Sequence, residues 1–312
     1  MHRPIRKLLW ATPALVLAGV LVVLVLRPAV SQPAQPTKLI IGIYAPTVEF
    51  GTAQNRLAYV QGLSRAIESN TGIQTTASSF ASLGALKKAD VDFAIIDGQC
   101  YATNLGWPLL ANATIGGGTS RAWALFSSVG PDMQGLKAKK LAVVQMGCND
   151  NGFIDNAMLE SEVDPSFFAS RVGKPDLTAA VAEVASYKGA QAVFAPVGAQ
   201  KGLTKVFDTG AVPNPAFVQV NAKLSGSVSG KVASAVVGYG GAGAITGWAP
   251  PNRGVYQGLA GRMGRVVKKA IFAPPTWVKL DAKDVLIEPA SLQDTDLTDV
   301  RQHFERPPER ME

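Results

Sequence analysis

Two rhythms of apolar residues alternate along this chain. KLIIGIY (Lys38–Tyr44) is almost unbroken in apolar character and has two adjacent β-branched isoleucines, which predicts a strand buried on both faces. In NRLAYVQGLSRAIESNTG (55–72), Leu57, Val60, Leu63, Ala66 and Ile67 recur at helical spacing, and Asn70 to Gly72 supply the stop. IQTTASSF (73–80) reads as a second strand, ASLGALKKAD (81–90) as a short helix and VDFAIID (91–97) as a third strand. Strand and helix alternating at these spacings predict a parallel sheet with helices over its faces.

The same grammar restarts after SRAWALFSSVG (120–130), itself a strand. A Pro-initiated turn and LKAKK lead into a strand at 141–145. A Gly turn and a helix carrying Ile154, Ala157, Met158 and Leu159 follow. LTAAVAEVASYKGAQAVFAPV (177–197) gives a helix and then a strand, PAFVQVNA (215–222) one more strand, and SGSVSGKVASAVVGYGG (225–241) a helix. A last helix is expected at 262–272. The repeated grammar predicts two α/β lobes, 38–127 plus 223–290 and 128–222, with a C-terminal extension at 291–312.

Composition changes this picture at the N-terminus. MHRPIRK is basic, residues 8–26 carry no charge, and RPAVSQPAQPT is rich in Pro and small residues. That order is the order of a secretory signal, with Ala29 and Ser31 at the small-residue positions. At about 1.5 Å per residue the apolar run also reaches across a hydrocarbon layer of about 30 Å, so a retained membrane anchor is the second reading of residues 1–31. On either reading the rest of the chain is expected to be exported. The 312 residues carry a formal charge of +7, and removing Arg3, Arg6, Lys7 and Arg27 of the leader leaves +3. The remaining basic residues are scattered, so no nucleic-acid surface is expected. Two cysteines are too few for a disulfide scaffold, and no cofactor or metal is implied.

Candidate chemistry sits in four loops that follow predicted strands and lead into helices: YAPTVEFGTAQ (44–54), DGQCYATN (97–104), MGCNDNG (146–152) and APVGAQKG (195–202). In α/β sheets such loops hold ligands, because free N–H groups and the helix dipole meet there. Together with LKKADVDFAIIDGQCYA, GLKAKKLAVVQMGCNDNGFIDNAML and the Pro-Asn-Pro segment in VFDTGAVPNPAFVQVNAKLS, this pattern resembles the type 2 periplasmic solute-binding proteins of ABC importers. The phosphate/phosphite/phosphonate-binding branch is the nearest within them, and the resemblance runs from about residue 38 to 272.

The resemblance implies a two-lobed α/β fold of the periplasmic-binding-protein type 2 class, each lobe a mainly parallel sheet flanked by helices, with a cleft between the lobes. It implies a periplasmic protein that captures a small polar or anionic solute, phosphate- or phosphonate-like, by hinged closure, with an ABC permease in the inner membrane as partner and no reaction catalysed. An anchored sensor module with the same fold, touching the membrane through its N-terminal segment, is one alternative, and a secreted enzyme using Cys148 is the other. Ligand contacts are implied at Tyr44, Thr47 and Thr52, at Cys100 and Tyr101, and at Asn149, Asp150, Asn151 and Gly152.

The family places Ser, Thr, Ser and Gly in that last loop, and this chain departs from it. A carboxylate beside a dianion is repulsive by roughly a few kcal/mol at effective protein dielectric, which counts against phosphonate itself. Asp150 is read either as a cap of the following helix or as the partner of a solute hydroxyl or amine. Cys100 and Cys148 would face each other across the cleft. They are expected to be free or weakly paired thiols, since a bridge would tie the lobes and prevent opening unless it lay near the hinge. A nucleophilic Cys148 has no base nearby, because the histidines are His2 and His303. GYGGAGAITG (238–247) reads as a hinge or lid, and Asp97 as the residue that shapes its own turn with Gly98.

Overall fold

The computed structural model describes residues 36–198, 202–241 and 243–265. The expectations for the leader, for lobe one and the last helix beyond residue 265, and for the C-terminal extension lie outside these residues.

The chain opens with β1 (Lys38–Tyr44) and α1 (Ala53–Thr71). Thr52 caps α1 by accepting the Asn55 N–H, and Gly72 ends it in the left-handed conformation at φ 71°, its N–H returning to Glu68 O. Next come β2 (Gln74–Ser79), α2 (Leu83–Lys88), β3 (Phe93–Ile96), α3 (Gly98–Ala102) and β4 (Leu109–Thr114). β1 pairs in parallel with β2 and β3, as the alternation predicts.

After β4 the chain leaves this sheet and builds another. β5 (Ser120–Ser127), β6 (Lys140–Val144), a π-helical segment (Gly152–Met158), β7 (Ser170–Lys174), α4 (Leu177–Ala185), β8 (Ala192–Pro196) and β9 (Thr204–Pro213) belong to it. The chain then returns through β10 (Ala216–Gln219), α5 (Gly226–Val237), β11 (Gly247–Ala249) and α6 (Gly254–Met263). The first sheet runs β11-β4-β10-β3-β1-β2 and the second β7-β6-β8-β5-β9.

Two expectations are corrected here. Both sheets are mixed, not mainly parallel: β10 lies antiparallel between β3 and β4, and β5 lies antiparallel between β8 and β9. The crossings between sheets fall at 115–119 and 214–215, not at 127–128 and 222–223. The strand 120–127 pairs over its whole length with β9, and Ala216 to Gln219 pair with β3, which fixes their membership. The Gly-rich stretch 238–247 joins α5 to β11 within the first sheet.

Each sheet has its own apolar core. Ile41, Leu63, Ile67, Phe93, Phe217 and Val232 pack in the first, and Leu125, Leu141, Met158, Leu177, Val184 and Phe194 in the second. A third cluster joins residues of both: Tyr44, Ile96, Cys100, Tyr101 and Tyr256 meet Met146 and Cys148. α6 strengthens the junction, with Tyr256 in this third cluster while Leu259 and Met263 reach the second core.

Candidate functional site

β1, β3 and β6 all end at this junction, and their loops face one another there. Tyr44 closes β1 and donates its hydroxyl to Met146 O at 3.2 Å, across the two sheets. Its pKa is pushed up to about 12 by burial, with the Asp97 and Asp150 carboxylates adding to the effect. The hydroxyl therefore stays protonated and serves as a neutral donor.

Thr47 turns its backbone N–H and its hydroxyl to Asp97 Oδ2, and Asp97 Oδ1 accepts the Gln99 N–H. Asp97 caps α3, as the expected turn with Gly98 requires. Burial raises its pKa, while the Thr47 and Gln99 bonds and the Arg121 charge act in the opposite sense. Arg121 braces the arrangement: its Nε donates to Asn214 Oδ1 at 3.1 Å and its Nη2 to Thr47 O at 3.2 Å. Asn214 in turn donates to Gly118 O at 2.8 Å, so both crossings are tied to the same loop.

From the second sheet comes the loop 146–152. Here the Asp150 carboxylate is turned back on its own loop. Oδ2 accepts the N–H of Met146 at 3.1 Å and of Gly147 at 2.9 Å. Oδ1 accepts the N–H of Cys148 at 3.3 Å and, from the other rim, Gln99 Nε2 at 2.9 Å. The second Gln99 amide bond goes to Cys148 O at 3.0 Å. Of the two sequence readings of Asp150, a cap for the helix that follows and a solute partner, neither describes this geometry: the groups it satisfies precede it in the chain. Asn149, at φ 55°, takes the capping role instead and accepts the Gly152 N–H.

Cys100 and Cys148 form a disulfide, with their Cα atoms 5.0 Å apart. The expectation of free thiols is overturned. The bond does tie the rims, and it lies beside the crossing from β9 to β10. Gly98 abuts the Pro213 and Asn214 carbonyls, and Tyr101 packs edge-on against Tyr256, whose hydroxyl donates to Asn214 O and Pro215 O. A Cys148 thiolate is therefore not available as a nucleophile. A backbone bond from Leu177 N–H to Pro46 O at 3.0 Å also links the two sides.

Between the rims lies a cavity of about 20 Å³, lined by Thr47, Gln99, Trp123, Asp150, Phe153 and Phe194 among others. That is room for about one water-sized group. Two buried polar atoms lack a partner among the described residues, Gln99 Oε1 and Trp123 Nε1, and both residues line this space. One is an acceptor from the first-sheet side, the other a donor from β5. Among the described residues no three His, Cys, Asp or Glu side chains cluster closely enough to hold a metal ion.

The structure thus brings Thr47 and Asp150 to the cavity and Tyr44 and Cys100 to its rim. Thr52 is exposed at the start of α1, Asn149 and Asn151 are exposed, and Tyr101 is fully buried with its hydroxyl on Trp107 O. Gln99, Trp123, Phe153 and Phe194 were missed as site residues. The signal for Gln99 was its place directly after Asp97-Gly98, where a helix starts. Nothing local marks Phe153 or Phe194, whose apolar runs read as core.

No protein-family model and no curated protein matches the chain. Solved structures do resemble it. PhnD1 from Prochlorococcus marinus in complex with methylphosphonate superposes with a TM-score of 0.57 at 11% identity, covering 73% of this chain and 98% of that one. A binding protein component of an ABC phosphonate transporter from Pseudomonas aeruginosa gives 0.55 at 13% identity, covering 87% and 98%. A Xanthomonas citri protein bound to ATP gives 0.53 at 13% identity, covering 73% and 97%. The likeness is one of fold, that of the two-lobed periplasmic binding proteins.

Proposed function

We propose that this chain is an extracytoplasmic solute-binding component of the ABC-importer type. It holds a small polar solute between two lobes and hands it to a permease in the inner membrane. The first sheet with α1, α2 and α5 forms one lobe and the second sheet with α4 the other, while α6 packs on the junction and on the second core. The crossings at 115–119 and 214–215 serve as the hinge. The disulfide sits on the hinge side, so it acts as a staple about which the lobes rotate. Opening breaks the bond between Leu177 and Pro46.

The observation that carries this reading is the pair Gln99 Oε1 and Trp123 Nε1. An unpartnered buried polar group costs about 1–3 kcal/mol, so an acceptor and a donor without a partner among the described residues, on two side chains that line one cavity from two lobes, favour a guest that satisfies both. Export fits the basic, apolar and small-residue order of the first 31 residues. No helix among the described residues is long and apolar enough to cross a membrane.

Thermal-shift screening of the oxidised protein tests the reading, with polyols, amides, amino acids, phosphate, sulfate and methylphosphonate as candidates. A true solute at 100 times its Kd adds about 2.7 kcal/mol of stability. A flat response to the whole set would rule out solute capture by this site.

A further inference from the structure

The second-lobe rim already holds an anion, and that anion belongs to the chain itself. Three successive backbone N–H groups, of Met146, Gly147 and Cys148, converge on the Asp150 carboxylate. Consecutive N–H groups aimed at one point form a concavity that suits an oxyanion. Gln99 Nε2 adds a fourth donor from the opposite rim. Every donor of this nest is spent on Asp150, and among the described residues no Lys or Arg lines the cavity behind it. A second carboxylate, Asp97, is held nearby on Thr47. A free phosphonate or sulfate entering here would find no donor of the nest open and a like charge in its place.

We propose that Asp150 is a built-in plug of an anion nest and the residue that sets the specificity of the cleft. It turns the cleft away from oxyanions and toward an uncharged solute bearing a hydroxyl or amide. Such a group can donate to Gln99 Oε1 and accept from Trp123 Nε1, the two buried side-chain atoms without a partner among the described residues. The inference deepens the solute-binding reading and rests on it for the choice of solute class, but the plug itself can be tested separately.

The experiment is an anion titration by calorimetry on native protein, Asp150→Ala and Asp150→Asn, each with its disulfide intact. Formate is the first probe because it carries the carboxylate that the alanine variant loses, and methylphosphonate is the second. Asp150→Ala should bind formate saturably, at least about tenfold more tightly than native protein does. Asp150→Asn, whose amide oxygen still fills the nest, should not. Native protein should bind neither anion.

Methylphosphonate binding by native protein overturns the plug, and this arm needs no variant to fold. So does a folded Asp150→Ala that takes formate no better than native protein. If Asp150→Ala does not fold, Asp150→Ser replaces it under the same two criteria. Formate rescue without any uncharged solute for native protein would uphold the plug and remove the solute-capture reading. An uncharged solute without formate rescue would do the reverse.

Discussion

A Cβ built on Gly98 would stand 2.1 Å from the Pro213 carbonyl oxygen and 3.0 Å from that of Asn214. The backbone of α3 is thus pressed directly on the second crossing, and only glycine lets the two approach so closely. Gly98→Ala should cost about 1–3 kcal/mol, since the obstacle is main chain and cannot swing aside. Urea unfolding of the variant checks this, and an unchanged midpoint would mean that the crossing does not lie against α3. Asp97-Gly98 was legible in the sequence as a turn after a buried strand, and that reading holds. What the sequence did not reveal is the partner across the gap, 115 residues further along, because contacts of such separation leave no local pattern. Asp150 shows the same limit. Its charge was visible and its conflict with a dianion could be argued, but the three N–H groups it collects depend on how the loop folds back.

At the scale of elements, the apolar strands are legible in the sequence, including β5 and β10, which lie antiparallel to their neighbours, while β7, parallel to β6, and β9 are not. β1, β3 and β6 are short apolar runs followed by a turn and a helix, which is the pattern that predicts parallel neighbours. β7 and β9 carry little of that signal: Ser170 to Lys174 and Thr204 to Pro213 alternate poorly and are partly exposed. β5 reads clearly as a strand, but the sequence does not reveal its sheet, since a strand at a crossing has the same apolar pattern in either lobe. The second crossing falls within the Pro-Asn-Pro segment, at 213–215, which the expected boundary at 222–223 misses.

The disulfide is the strongest covalent link between elements, joining α3 to the loop after β6 across 48 residues of chain. The loop-closure entropy it removes from the unfolded state predicts a loss of about 2–4 kcal/mol in the Cys100→Ser/Cys148→Ser variant. Chemical denaturation of oxidised native protein against that variant measures it. A loss well under 1 kcal/mol would mean that the unfolded chain gains nothing from the cut.

For the whole molecule, one arrangement decides everything above: loops from two sheets meet at a single place, with a crossing, a staple and a shared cavity side by side. Solute capture, the role of Asp150 and the hinge all require residues 97–100 to lie against residues 146–150. Tryptic digestion of the unreduced, alkylated protein tests that contact most directly, because the two cysteines fall in separate fragments, 89–121 and 141–171. The arrangement predicts one mass in which these fragments are joined and which separates on reduction. Two free fragments, each carrying the alkyl group before any reductant is added, would contradict it.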